Sequence, residues 1–262
     1  MSEATRIEWP VGEALRDIAR GGLAGLFVGI VVAGVGGRLV MRLAAVLVPA
    51  ATGRATENGN LIGDITLGGS LFLIVTVGLL AGVAFGVVWV VVAPWLPGRG
   101  VVRGLVAMPI AVGLGAFGLV DRFNPDFAIL EHDPIVVASL VALVASAAPA
   151  MALVDSWLDR RLPIALSSQS SAGIAYGILT IIGVAIGGLL TLQLALGFES
   201  RPLGLTIVAV GLVTLAWWSM RARGERSRPR ILRISAIAIL LAGTVAGYVE
   251  LIPDVVGALG RS

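Results

Sequence analysis

Residues 36–69 read GGRLVMRLAAVLVPAATGRATENGNLIGDITLGG, and this stretch decides the fold class. It holds the end of one apolar run, a polar Asn/Gly-rich crossing and the start of the next run. About 20 apolar residues at 1.5 Å each span the hydrocarbon of a bilayer, so long uncharged runs read as transmembrane helices. The run that leads into this stretch, Gly21–Gly37, carries no charge. Arg38 and Arg42 then follow at i and i+4, one turn apart at the far end of the span.

Working outward, the same rule predicts seven spans, at about 21–47, 65–92, 101–120, 135–154, 172–196, 203–220 and 234–252. The expected fold is an all-α polytopic bundle. Residues 1–20 form a polar N-terminal segment, and Glu13–Arg20 has the pattern of an amphipathic surface helix running into the first span. Residues 21–262 form one transmembrane domain. Small residues recur every fourth position at Gly21, Gly25, Gly29, Ala33 and Gly37, and again at Gly78, Gly82 and Gly86. Such stripes let helix backbones approach closely, so the first two spans are expected to pack through them.

Composition agrees. The 262 residues are 57% hydrophobic and 13% charged, with a mean hydropathy of +0.98. A soluble domain carries about 25% charge. Cysteine is absent, which excludes disulfides, thiolate metal sites and cysteine nucleophiles. Lysine is absent too: all 19 basic residues are arginine, so no Schiff-base chemistry with retinal or pyridoxal phosphate is open to the chain. The single histidine, His132, excludes sites that need two.

The arginines also orient the chain. With seven spans, thirteen fall on the side of the N-terminus and four on the other, or six with Arg38 and Arg42. The positive-inside rule then puts the N-terminus in the cytoplasm and the C-terminus outside. A bacterial inner membrane is the expected location. The arginines are spread between spans, which fits membrane orientation and gives no nucleic-acid patch.

Three groups of polar residues could carry chemistry. Arg38 and Arg42 face one way, and paired guanidinium groups suit a carboxylate or another anion. The loop after them offers Glu57, Asn60 and Asp64, so a substrate site of Arg38, Arg42, Glu57, Asn60 and Asp64 is the leading candidate, facing outward. The competing role for the loop is a turn at Asn58-Gly59 with Asp64 capping the next helix. The second group, DRFNPDFAILEHD at 121–133, is rich in carboxylates but has no metal-loop spacing. The third is the arginine-rich 221–233 segment, which reads as a topology signal beside anionic lipid. No nucleophile motif, P-loop, metal set or cofactor fingerprint is present, so an enzyme is disfavoured and no cofactor is expected.

GGRLVMRLAA, the following TENGNLIGDITLGG, the later NPDFAIL and the D-x-x-L-D-R-R-L-P string at 155–163 resemble a group of bacterial multipass membrane proteins. The resemblance covers about residues 20–163 and implies a membrane bundle, with no activity attached. Two function classes fit the residues. One is a small transporter or channel-like carrier. The other is a non-catalytic accessory or assembly subunit that binds other membrane helices, or a second copy, through its glycine stripes. Both are in contact with the lipid bilayer.

Overall fold

The computed structural model describes residues 10–57, 59, 61–63, 67–72, 74–75, 78–79, 82–163, 171–196, 201–223, 225, 227 and 229–260. Helices follow one another along the chain: α1 (Pro10–Val28), α2 (Gly37–Leu47), α3 (Leu67–Phe72), α4 (Gly82–Val92) and α5 (Val101–Gly115), then α6 (Asp126–Ile129), α7 (Pro134–Arg161), α8 (Ser171–Leu196), α9 (Arg201–Ala222) and α10 (Arg230–Ala258). Among the described residues the one extended pairing is an isolated antiparallel bridge between Ala55 and Leu61. The protein is all-α, as expected.

Among the described residues, five helical stretches are long and apolar enough to cross a membrane: Gly12–Leu47, Pro134–Arg161, Ser171–Gln193, Pro202–Ala222 and Arg230–Ala258. Gly82–Trp95 and Val101–Gly115 are shorter apolar helices. The outward faces carry large aliphatic side chains, among them Leu39, Ile181, Leu212 and Val249. In water such a surface would be a severe liability, whereas against lipid tails it is the matching solvent. The chain is a multipass membrane protein.

α1 and α2 form one continuous rod, joined through a π-helical stretch, Gly29–Gly36. Residues 10–20, expected to lie on the membrane surface, are the first turns of this rod. The second expected span contains α3 and α4, and the stretch between them lies partly outside the described residues. α8 and α9 begin and end within a few residues of their expected limits, whereas α5 stops at Gly115, α7 runs on to Arg161, and α10 starts at Arg230 and runs on to Ala258.

The glycine stripes meet. A Cβ on Gly25 would fall 2.6 Å from the Gly86 Cα, and one on Gly29 would fall 2.7 Å from the Gly82 Cα. Backbone therefore touches backbone along the α1–α4 seam. α5 and α7 approach in the same way, where Gly104 lies against the backbone of Pro149. α5 also meets α10 where Gly113 and Gly247 touch.

Contacts sort the helix ends into two groups. At one end the start of α1 meets the ends of α7 and α9, through Arg20–Asp155 and Glu13–Arg221. Trp95, just after α4, packs on Trp217 of α9 at that same end. At the other end Glu57 meets Asp126, Arg122 meets Asp254, and the His132 ring meets the Ala258 carbonyl. Arg20 and Arg38 are eighteen residues apart on one rod, about 27 Å by helical rise. That separation is close to the hydrocarbon thickness of about 30 Å.

Candidate functional site

The residues of the 36–69 stretch come first, because the sequence favours them. Arg42 Nη1 donates to the Gly63 carbonyl at 2.6 Å. Arg38 is half-buried, and its Nε and Nη2 have no hydrogen-bond partner among the described residues. Glu57 is exposed, and its backbone N–H donates to Asp126 Oδ1 at 2.8 Å. No ion pair joins either arginine to Glu57 among the described residues. Asn60 and Asp64 lie outside the described residues.

The loop itself is a plug. Gly53 N–H donates to the Ile62 carbonyl and Ile62 N–H to the Arg54 carbonyl, a small hairpin. Ile62, fully buried, joins Ala44, Val48, Ala51, Leu130 and Val136 in an apolar cluster. Gly63 adopts φ +82°, a backbone conformation that a side chain would strain. Arg54 and Glu57, both exposed, thus sit on a turn anchored by the buried Ile62.

A different set of polar residues converges at the opposite end. Glu13, Arg16, Asp17 and Arg20 recur at three- and four-residue intervals, which places them on one face of α1. Asp155 and Asp159 repeat the spacing on the last turns of α7. The two faces interlock. Arg20 Nε donates to Asp155 Oδ1 at 2.7 Å, and its Nη1 lies 3.3 Å from Asp17 and pairs with Asp159. Arg16 donates to Asp159 Oδ1 at 2.9 Å and to the Asp159 and Leu162 carbonyls at 2.6 and 3.1 Å. Arg16 thereby satisfies carbonyls that the end of α7 leaves open. Arg221 of α9 pairs with Glu13 and stacks over the Trp217 ring at 5.1 Å.

These charges are not surface decoration. Asp155 is 6% exposed. With Asp17, Arg20, Arg103, Trp218 and Arg221 it lines a polar cavity of about 160 Å³, roofed by Trp89. Three N–H donors on residues of this wall have no acceptor among the described residues: Arg103 Nε, Trp89 Nε1 and Trp218 Nε1, all buried atoms. Trp89 is 4% exposed. Trp95, by contrast, donates its indole N–H to Thr214 Oγ1 at 2.8 Å. The cavity wall carries three arginines and two aspartates. Arg20 and Arg221 are engaged by carboxylates, while Arg103 has no ion pair among the described residues. Arg103 is thus the guanidinium of this cavity without a close ion pair among the described residues, and the Trp89 and Trp218 indoles line the same cavity. That arrangement suits an oxyanion.

Sequence reading assigned these residues to other roles. Asp17 and Arg20 stood in the surface helix, Asp155 in an inter-span loop, and Trp89 within an apolar run. One signal was available: two acids four apart at the end of one apolar helix, and two arginines four apart at the start of another. No family model, no curated protein and no solved structure matches the chain, so its site is read from its own geometry.

Proposed function

We propose that the protein is a small carrier-like membrane protein that binds an oxyanion-bearing ligand in the charged cavity between α1, α4, α5, α7 and α9. Arg103 Nε, Trp89 Nε1 and Trp218 Nε1, buried donors without acceptors among the described residues on side chains that line one cavity, carry the reading. A buried donor left unpaired costs about 1–3 kcal/mol, so a wall holding three of them favours a partner that accepts from all. The accessory-subunit reading loses its main surface, because the α1 and α4 stripes are spent on each other. Arg38, Arg42 and Glu57 then belong to the opposite end of the bundle, where we assign them to the 54–63 turn and its surroundings.

In this reading α4 and α5 cross the bilayer with the five longer helices. That makes seven spans in a bacterial inner membrane, with the N-terminus and the charged cavity at the cytoplasmic face and the C-terminus outside. The warrant is the arginine asymmetry. Reporter fusions at residues 98 and 225 should report the cytoplasm, and fusions at residue 128 and the C-terminus the outside. A cytoplasmic C-terminus would remove the seven-span topology.

Ligand binding is tested by titrating the purified full chain with inorganic phosphate while following tryptophan emission. A saturable change is expected in the wild type, with at least a tenfold weaker response in Arg103→Gln. Tetramethylammonium chloride at equal ionic strength should produce none. Equal responses to both salts, or an unaltered response in Arg103→Gln, would refute the site.

A further inference from the structure

Next to the charged cavity lies a larger one, of about 440 Å³, whose walls come from α4, α5, α7, α8, α9 and α10. Apart from Thr191, Thr206 and the Trp89 indole, every side chain in its wall is hydrocarbon. Its volume is within the range of about 300–1,000 Å³ typical of small-molecule sites. A water needs two to four polar partners, so walls of this kind do not hold water and do accept hydrocarbon.

The two cavities share one wall. Trp89 borders both. They are also aligned along the helices. The charged cavity is bounded by Arg103 near the start of α5, and by Trp218 and Arg221 near the end of α9. The apolar cavity is bounded by Leu114 and Gly115 at the end of α5, and by Leu203 at the start of α9. Arg103 and Leu114 are eleven residues apart, about 16 Å by helical rise. Donors and charge thus lie at one end of the bundle, and the hydrocarbon-walled space runs from there toward the opposite end. A soluble anion uses only the first cavity, and a neutral hydrocarbon only the second.

We propose that the two cavities form one site for a single-chain anionic amphiphile: an oxyanion head on an alkyl or isoprenoid chain. The head sits on Arg103, Trp89 and Trp218. The chain passes the Trp89 indole into the apolar cavity, parallel to the helices. If a methylene takes about the 30 Å³ of a water, the cavity takes one chain of about fifteen carbons. Ligand entry from the membrane follows naturally, since such a molecule already lies in the leaflet with its head at this level.

The proposal rests on the charged cavity being a ligand site, and the test separates the two claims. The full chain in a non-ionic detergent is titrated calorimetrically with hexadecyl phosphate, inorganic phosphate and hexadecanol, each against a micelle-only reference. Hexadecyl phosphate should bind at least tenfold more tightly than either of the others. Arg103→Gln should lower hexadecyl phosphate affinity at least tenfold and leave hexadecanol unchanged. Ala111→Phe, which fills the apolar cavity, should weaken hexadecyl phosphate and spare inorganic phosphate. If hexadecyl phosphate binds no more tightly than inorganic phosphate, the chain has no place in the site and the amphiphile proposal falls, while the oxyanion site stands. If hexadecanol equals hexadecyl phosphate, simple partitioning explains the result and the amphiphile proposal falls. If neither anion binds, both claims fall. The three ligands on the unaltered chain decide the matter even where Ala111→Phe does not accumulate.

Discussion

Gly25→Ala lowers the thermal stability of the protein in detergent, and Gly25→Leu fails to accumulate as a folded monodisperse species. The obstacle is backbone. The new Cβ would fall 2.6 Å from the Gly86 Cα and closer still to the Gly82 carbonyl oxygen. A side chain can turn aside, but a helix backbone moves only with its helix, so α1 and α4 must separate along the whole seam. Overpacking of an ordinary core costs about 1–3 kcal/mol, and this contact belongs at or above the top of that range. Gly22 supplies the control. A Cβ there meets nothing within 4 Å, and alanine is worth up to about 1 kcal/mol over glycine in a helix interior. Gly22→Ala is therefore neutral or mildly stabilising. The two variants sit three residues apart on one helix, and differential scanning fluorimetry should move them in opposite directions. Equal effects would mean that the close seam does not exist.

Asp155→Asn is expected to be the most damaging charge-removing change in the molecule. Asp155 has a side chain 9% exposed and holds Arg20, whose side chain is 18% exposed. The change takes from Arg20 its most buried carboxylate and leaves it Asp17 and Asp159; breaking a buried pair costs up to about 3–5 kcal/mol. At about 2–4 °C per kcal/mol, the melting temperature falls on the order of 10 °C. Asp159 also meets Arg20 and Arg16, but its side chain is 53% exposed. Asp159→Asn should cost about 0–1 kcal/mol. The double variant Arg20→Gln, Asp155→Asn should be damaged much less than the sum of the two single changes. Additive losses would show that the pair is screened by water and that the α1–α7 interface is looser than its geometry implies.

The helical class and the membrane setting were legible in the sequence because both depend on runs of apolar residues. The α1–α4 seam was legible because fourfold glycine spacing has one main use at a helix interface, close approach. The charged cavity was not legible, for a physical reason. Its residues come from five distant segments, and each segment has an innocent local explanation. Glu13–Arg20 looks like an amphipathic turn, Asp155–Arg161 like a helix end at the membrane surface, Arg103 like a topology signal and Trp89 like core. Only the packing of α1 onto α7 makes the carboxylates and guanidiniums face each other. The Arg38/Arg42 pair stands out in the sequence for a different reason. Charge beside hydrocarbon signals cost, and cost reads as function. Here Arg42 spends its charge on the Gly63 carbonyl of a loop held shut by Ile62.

The central claim is that the Trp89 and Trp218 indoles hold open donors for an oxyanion, and indole N–H resonances report this directly. In protein labelled with ¹⁵N-tryptophan, the two signals are assigned by their loss in Trp89→Phe and Trp218→Phe. Trp95, bonded to Thr214 at 2.8 Å, serves as the internal reference. On addition of saturating phosphate, the Trp89 and Trp218 indole protons should move downfield together, as they gain an acceptor, while the Trp95 proton stays in place. Stationary Trp89 and Trp218 signals, or a uniform shift that includes Trp95, would contradict the account.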